Sequence, residues 1–304
     1  MLTVAQLPPG QLAARLAGAG LYLQTGAFVT RLQSTIPSVV QGVGLMYADY
    51  PLGLDDGYAD FHLRMVRPLN WRRWLRPQVQ LLADGLAPFK PLPLAQAYPM
   101  FEWGLNWCIS SRAHSYLILH AAVVEKHGRA AILPAPPGSG KSTLCAALVH
   151  HGWRLLSDEL TMVRLDDGLI VPMPRPISLK NGSIELMRAV LPNARFSPSV
   201  HDTNKGTVAH LRAPADSVER LAEPARPAWI VFPRYEAGAA AELLPVAKAR
   251  AHLRTAENAF NYSVLCARGF DAMADVVEQS DCYDFRYSSL ADGIATFERL
   301  VAPP

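Results

Sequence analysis

The segment from Ala130 to Gly152 constrains the fold of this chain more than any other. An apolar, β-compatible run, Ala130 to Pro134, leads into Ala135-Pro136-Pro137-Gly138-Ser139-Gly140-Lys141-Ser142, and a helical pattern follows from Ser142 to Gly152. A strand, a glycine-containing loop and a helix in that order specify an α/β arrangement. The loop itself has a small residue, four more, then Gly-Lys-Ser. Backbone N–H groups aimed into one concavity bind a dense anion without help from side chains, and Gly138 and Gly140 permit the backbone angles this requires. The following helix adds the positive end of its dipole. The residues from Ala135 through Thr143 are therefore expected to hold the phosphates of a nucleoside triphosphate. Lys141 would place a point charge on the β and γ phosphates, and the Ser142 hydroxyl suits Mg²⁺. Ala135 stands where the pattern usually has glycine, the mildest departure available.

A second feature narrows the class. The apolar segment Trp153-Arg154-Leu155-Leu156 ends in Asp158-Glu159, and Asp158 lies only 17 residues after Lys141. One helix followed by a returning strand brings such a pair back toward the loop. There the carboxylates could hold Mg²⁺ or accept a proton from an incoming hydroxyl.

Composition sets the outer bounds. With 304 residues, half of them hydrophobic, the chain can bury one large α/β domain or two ordinary ones. The net charge of +3 is spread without a long basic run, which argues against a nucleic-acid or membrane-surface partner. The most apolar region, Tyr116 to Leu133, is interrupted by Glu125, Lys126, His127 and Arg129, so it cannot cross a bilayer as one helix. No secretory leader is apparent in MLTVAQLPPG, and Cys108, Cys145, Cys266 and Cys282 lack metal spacing and read as buried thiols. A soluble, cytoplasmic protein is expected.

The chain divides at a proline-rich segment, Pro88 to Pro93, which reads as a linker or a strand-edge crossing. Residues 1–92 form an N-terminal α+β region, with strands expected at Leu21 to Gln24, Phe28 to Leu32, Ala59 to Val66 and Val79 to Leu82. Residues 93–304 form the loop-bearing domain. It opens with a buried helix at Ala95 to Ser111 and strands at Leu117 to Val124 and Ala130 to Pro134. Short strands at Trp153 to Leu156 and Leu160 to Val163 flank the acidic pair. Residues 166 to 214 look turn-rich, with Asn204-Lys205-Gly206 expected as a mobile loop. A strand at Ala228 to Pro233 and helices at Val246 to Asn258, Asp271 to Gln279 and Leu290 to Val301 complete the chain.

The stretch from His120 to Val163 resembles the HPr kinase/phosphorylase family, whose P-loop domain is also similar to that of phosphoenolpyruvate carboxykinase. The residues that carry the resemblance are the histidine-bearing strand, the turn, the Gly138-Ser139-Gly140-Lys141-Ser142 loop, one helix, and a hydrophobic strand ending in two acids. The chain as a whole looks like the HPr-kinase-related (kinase A) group of proteobacteria. The resemblance implies a P-loop domain with a mixed β-sheet and an ATP- and Mg²⁺-dependent serine kinase. It gives Asp158 the part of catalytic base, Glu159 that of the neighbouring metal-associated acid, and His120 a place beside the phosphates. The N-terminal region does not resemble the regulatory domain of true HPr kinases, and the downstream signature of phosphorolysis is absent. The implied acceptor is therefore Ser or Thr of a protein or peptide other than HPr. True HPr kinases form hexamers, which leaves a homo-oligomer open.

Phosphoryl transfer spreads charge over the equatorial oxygens and calls for a further cation. Arg175 and Lys180 flank a short strand, and Lys180, Lys205 and then Arg234 are the first choices for that contact. Two alternatives stand beside the protein kinase: a small-molecule kinase on the same domain, and a nucleotide-gated binding module that does not catalyse.

Overall fold

The computed structural model describes residues 1–53, 57–69 and 71–301. A short helix, α1 (Gln11–Ala17), precedes the hairpin β1 (Leu21–Thr25) and β2 (Phe28–Ser34), whose ladder closes at Thr25 and Phe28. Gly26 turns this hairpin at φ +59° with its backbone against Pro172, where a Cβ would collide with the carbonyl. Next come α2 (Pro37–Met46), β3 (Phe61–Val66), α3 (Arg72–Leu75), β4 (Gln78–Ala83) and the two-residue β5 (Leu92–Pro93). The five strands form one sheet in sequence order, with β2 and β3 parallel and the other pairs antiparallel. In β3 the burial alternates strictly, Phe61, Leu63 and Met65 inward against His62 and Arg64 outward, as a sheet with one wet face demands. The Pro88 to Pro93 segment ends as the edge strand of this sheet.

The long helix α4 (Ala97–Arg112) packs on β3 and β4. Gly104 lets it sit directly on Leu81, and Gly42 of α2 gives the same close approach to the Tyr98 ring. The central strands are β6 (Tyr116–Lys126) and β7 (Arg129–Pro134), followed by α5 (Lys141–Val149), β8 (Arg154–Ser157), β9 (Leu160–Arg164) and the short β10 (Ile170–Val171). Strand β6 alternates between two hydrophobic clusters. Ile118, Ala122 and Val124 join a cluster that is continuous with the N-terminal sheet and α4, while Leu117, Leu119 and Val123 join a second one. Burial on both faces explains its near-continuous apolar sequence.

Residues 166–214 differ most from expectation. The turn-rich segment holds a three-stranded antiparallel sheet, β11 (Ile177–Lys180), β12 (Val200–Thr203) and β13 (Gly206–Leu211), with helix α6 (Gly182–Val190) between β11 and β12. The polar tip at Asn204-Lys205 is a tight hairpin turn. The Thr203 hydroxyl accepts from the Lys205 N–H (3.0 Å) and donates to the Gly206 carbonyl (2.6 Å). Local side-chain capping of this kind is hard to read from polar composition alone.

The last third comprises α7 (Ala215–Glu219), β14 (Arg226–Tyr235), β15 (Glu242–Pro245), α8 (Lys248–Ala256), α9 (Tyr262–Leu265), α10 (Ala267–Glu278), β16 (Asp281–Tyr287) and α11 (Leu290–Val301). The central mixed sheet runs β10-β9-β6-β7-β14-β16-β15, with β8 also paired to β6. Strands β7, β14 and β16 are mutually parallel. Strands β15 and β16 were not foreseen, because Asp281, Asp284 and Arg286 break the apolar pattern of β16. Three cysteines are buried as expected, but Cys266 is exposed where the chain breaks between α9 and α10. Among the described residues no helix is long and apolar enough to cross a membrane.

A buried ion pair ties the N-terminal layer to the rest. Glu102 of α4, only 3 % exposed, meets Arg175 at 2.5 Å and accepts from the hydroxyls of Tyr47 (2.8 Å) and Tyr98 (2.7 Å). Removing one member of such a pair strands the other charge in the core, at a cost of about 3–5 kcal/mol. Arg175→Met should lower the unfolding free energy by that amount in urea titrations. Adding Glu102→Gln, which keeps an acceptor for both tyrosines, should recover at least half of the loss.

Candidate functional site

The loop between β7 and α5 is held by its outer edge. The Ser139 carbonyl accepts from the Tyr235 N–H (2.9 Å), and the Gly140 carbonyl accepts from the Tyr287 hydroxyl (3.1 Å). Gly138 and Gly140 have φ of +86° and +88°. At Gly138 a side chain would meet nothing, so only the angle requires glycine there. At Gly140 a Cβ would also strike the Tyr287 hydroxyl at 2.5 Å. Ala135 is buried, Pro136, Pro137 and Gly138 are exposed, and Ser142 and Thr143 are half-buried at the start of α5.

The acidic pair reaches this loop through an interrupted strand. Both β8 and β9 pair antiparallel with β6, β8 at Val123 to Glu125 and β9 at Tyr116 to His120. They form one strand line broken at Asp158-Glu159, opposite Ala121 and Ala122, and bulges of this sort re-aim side chains. Ser157 closes the break, its hydroxyl accepting from the Leu160 N–H (3.1 Å). On the other flank of β6, Ala121 pairs with Pro134, the last residue before the loop. The bulge and the loop thus start at the same level, two strand spacings or about 10 Å apart.

Across that gap the side chains act on one another electrostatically. Asp158, 6 % exposed, accepts from the Ser178 N–H through Oδ2 (3.1 Å), while its Oδ1 has no partner; the nearby Ser142 side chain helps hold its pKa down. Burial pushes the Asp158 carboxyl up to about 6, against the pull of Lys141. Lys141, 7 % exposed, has an ammonium without a hydrogen-bond partner, and burial lowers its pKa despite the nearby Asp158 and Glu159. The buried Ser139 hydroxyl is likewise unpartnered. Glu159 accepts from the Asn106 amide (2.6 Å). Burial raises its pKa, but Lys205, His120, Arg175 and Lys180 outweigh that and hold it low.

His120 lies on β6 one residue before Ala121, its N–H donated to the Asn258 carbonyl (2.6 Å) and its ring 5.7 Å from Phe260. Burial, then Lys141, push its pKa down to about 4, so it is neutral at pH 7. Lys180 ends β11 and Lys205 tips the β12–β13 hairpin, where its ammonium lies 5.4 Å over the Trp103 ring. Their charges converge on Glu159 and His120. Arg234 is placed elsewhere, exposed at the end of β14, with β7 and β6 between it and the acidic bulge and Glu236 at 3.8 Å.

Of two further neighbours of the acidic pair, Asn106 was not anticipated, and Arg175 was a candidate cation but not a first choice. Asn106 holds Glu159, and Arg175, flanked by Pro174 and Pro176, donates to the Asn106 side chain as well as to Glu102. Both line a cavity of about 20 Å³ beside Asp158, Glu159 and Trp103, room for a single water. The signal was Glu102, a carboxylate inside an aromatic, apolar helix, which demands a buried cation from somewhere in the chain.

Among the described residues no group of three or more His, Cys, Asp or Glu could cage a metal ion. The oxygens of Ser142 and Asp158 still fit Mg²⁺, which commonly takes one or two protein oxygens and completes its shell with phosphates and water.

No family model matches the chain, and no curated protein matches it. Among solved structures, it is similar to an HPr(Ser) kinase/phosphatase from Coxiella burnetii. Sequence identity is 9%, the TM-score is 0.25, and the match covers 60% of this chain and 96% of that one. A match this distant carries no argument about the chemistry of the site.

The Asp158 environment has a measurable consequence for stability. With a pKa near 6 when folded and near 3.8 when unfolded, the carboxylate opposes folding once it is ionised. That cost is absent below about pH 4 and reaches roughly 3 kcal/mol at most above pH 6. In metal-free buffer Asp158→Asn should therefore raise Tm at pH 7, with the gain shrinking through pH 6 to 4 and vanishing below.

Proposed function

We propose that this chain is an ATP- and Mg²⁺-dependent phosphotransferase that phosphorylates a hydroxyl, Ser or Thr of a protein or peptide other than HPr. One observation carries the reading. A buried lysine ammonium and a buried carboxylate oxygen, neither with a hydrogen-bond partner, act on one another beside a loop whose two glycines take left-handed angles at a helix start. Burying two such groups without satisfying them is costly, and a triphosphate and a hydroxyl supply what each lacks.

In this reading the backbone of Gly138 to Ser142 and the N-terminus of α5 receive the phosphates. Lys141 donates to the β and γ oxygens, and ligation raises its depressed pKa. Asp158, with Oδ1 free, accepts the proton of the acceptor hydroxyl as that oxygen bonds to the γ-phosphorus and the bond to the β-phosphate oxygen breaks, releasing ADP. A pKa near 6 leaves most of the carboxyl ionised and able to accept at pH 7. Mg²⁺, held by Ser142 and Asp158 with Glu159 nearby, would neutralise charge on the β and γ phosphates. His120, neutral at pH 7, can accept or donate a hydrogen bond beside the phosphates without adding charge. Lys180 and Lys205 supply the further cations at the γ end. A cytoplasmic location belongs to the same proposal.

Labelled ATP and two variants test it. Lys141→Ala should lose nucleotide binding and transfer together. Asp158→Asn should bind ATP within a few-fold of wild type while transfer falls by about 100-fold or more. Equal transfer rates for Asp158→Asn and wild type would remove Asp158 as the base. Label appearing on metabolites but never on protein would favour a small-molecule kinase. Tight ATP binding without turnover on any acceptor would favour a nucleotide-gated module.

A further inference from the structure

The carboxyl ends of the three parallel strands β7, β14 and β16 converge at the loop, the end of an α/β sheet where ligands bind. Tyr235 and Tyr287 are register partners there, with ring centroids 5.9 Å apart at 77°. They are used differently. Tyr287 is 1 % exposed and braces the Gly140 carbonyl, whereas Tyr235 gives its N–H to the Ser139 carbonyl and is 52 % exposed. A tyrosine fixed by its backbone to the phosphate loop and supported edge-on by a buried aromatic is a rigid flat surface at the rim of the site.

Sheet order says which end of a nucleotide would reach it. The acidic bulge lies beyond β6 on one side of β7, and β14 and β16 lie on the other. If transfer occurs beside Asp158 and Glu159, the γ-phosphate points toward β6 and the nucleoside extends toward β14. We infer that the Tyr235 ring is the platform on which the nucleobase stacks, an assignment that rests on the phosphate-loop reading above. Stacking uses the π-face that every base has, so this subsite discriminates weakly among purines. It also places Arg234 at the nucleoside end rather than beside the γ-phosphate.

Calorimetric titration with ATP and with inorganic tripolyphosphate separates this inference from the reading beneath it. Tyr235→Ala should weaken ATP binding roughly 5- to 100-fold and leave tripolyphosphate binding within about twofold. Tyr235→Phe, which keeps the ring, should bind both like wild type. Phe260→Ala, the half-exposed ring on the β6 side, should not lose ATP selectively. Equal weakening of both ligands in Tyr235→Ala would mean that Tyr235 only shapes the loop, and an unchanged ATP affinity would remove the platform. Selective loss in Phe260→Ala would put the base on the opposite side. If wild type binds neither ligand, the phosphate loop itself is refuted and the platform with it.

Discussion

Lys141 and Asp158 are buried near one another, and taking either charge out of water costs several kcal/mol unless neighbours repay it. Here the repayment is partial. Asp158 receives the Ser178 N–H but keeps one oxygen unpaired, and the Lys141 ammonium has no acceptor. Both groups accordingly shift toward their neutral forms. The architecture nearby maintains that tension. The Gly140 and Ser139 carbonyls are tied to β16 and β14, so the loop cannot relax onto the lysine, and the bulge between β8 and β9 is closed by Ser157.

A second buried pair shows the contrast. Glu102 and Arg175 lie as deep, yet Glu102 accepts from Tyr47, Tyr98 and Arg175, and Arg175 also reaches Asn106 and the Glu102 carbonyl. A satisfied network of that kind holds a structure rigid, whereas unsatisfied groups at a cleft are where chemistry is expected. The two are joined through Asn106, which takes a hydrogen bond from Arg175 and gives one to Glu159. The N-terminal sheet, which supplies none of the proposed chemistry, thereby helps set the position of the acidic pair through α4.

The sequence made some of this plain and hid the rest for physical reasons. The strand–loop–helix around Gly138 to Ser142 was legible because each residue type answers a local requirement of angle, charge or dipole. The β1, β2, β3 and β4 strands were legible from alternation, and α4 from its buried length. The β11–β13 sheet was not, since Asn204-Lys205-Gly206 and several prolines look like loop until the capping hydroxyl of Thr203 is seen. Strand β16 was obscured by Asp281, Asp284 and Arg286, of which Arg286 pairs with Glu242 across the ladder to β15. From sequence, Lys180 and Lys205 were ranked ahead of Arg234. The structure agrees, with the first two acting on Glu159 and the third beyond β7 and β6 from it. Arg175 and Asn106 act through contacts between distant segments, which no spacing rule encodes.

The charges around the bulge bear on what the site can accept. Lys141, Lys180 and Lys205 face Asp158 and Glu159, while Arg175 is matched by Glu102 and His120 is driven neutral. The three lysines outnumber the two acids, and the excess is concentrated where water is partly excluded. A cation alone would add to that excess, and a neutral ligand would leave it in place. A polyanion removes it, and by doing so favours the charged form of Lys141 that burial opposes. Cation and polyanion entering together suit the site best, because the cation then offsets the acidic pair while the polyanion takes the lysines.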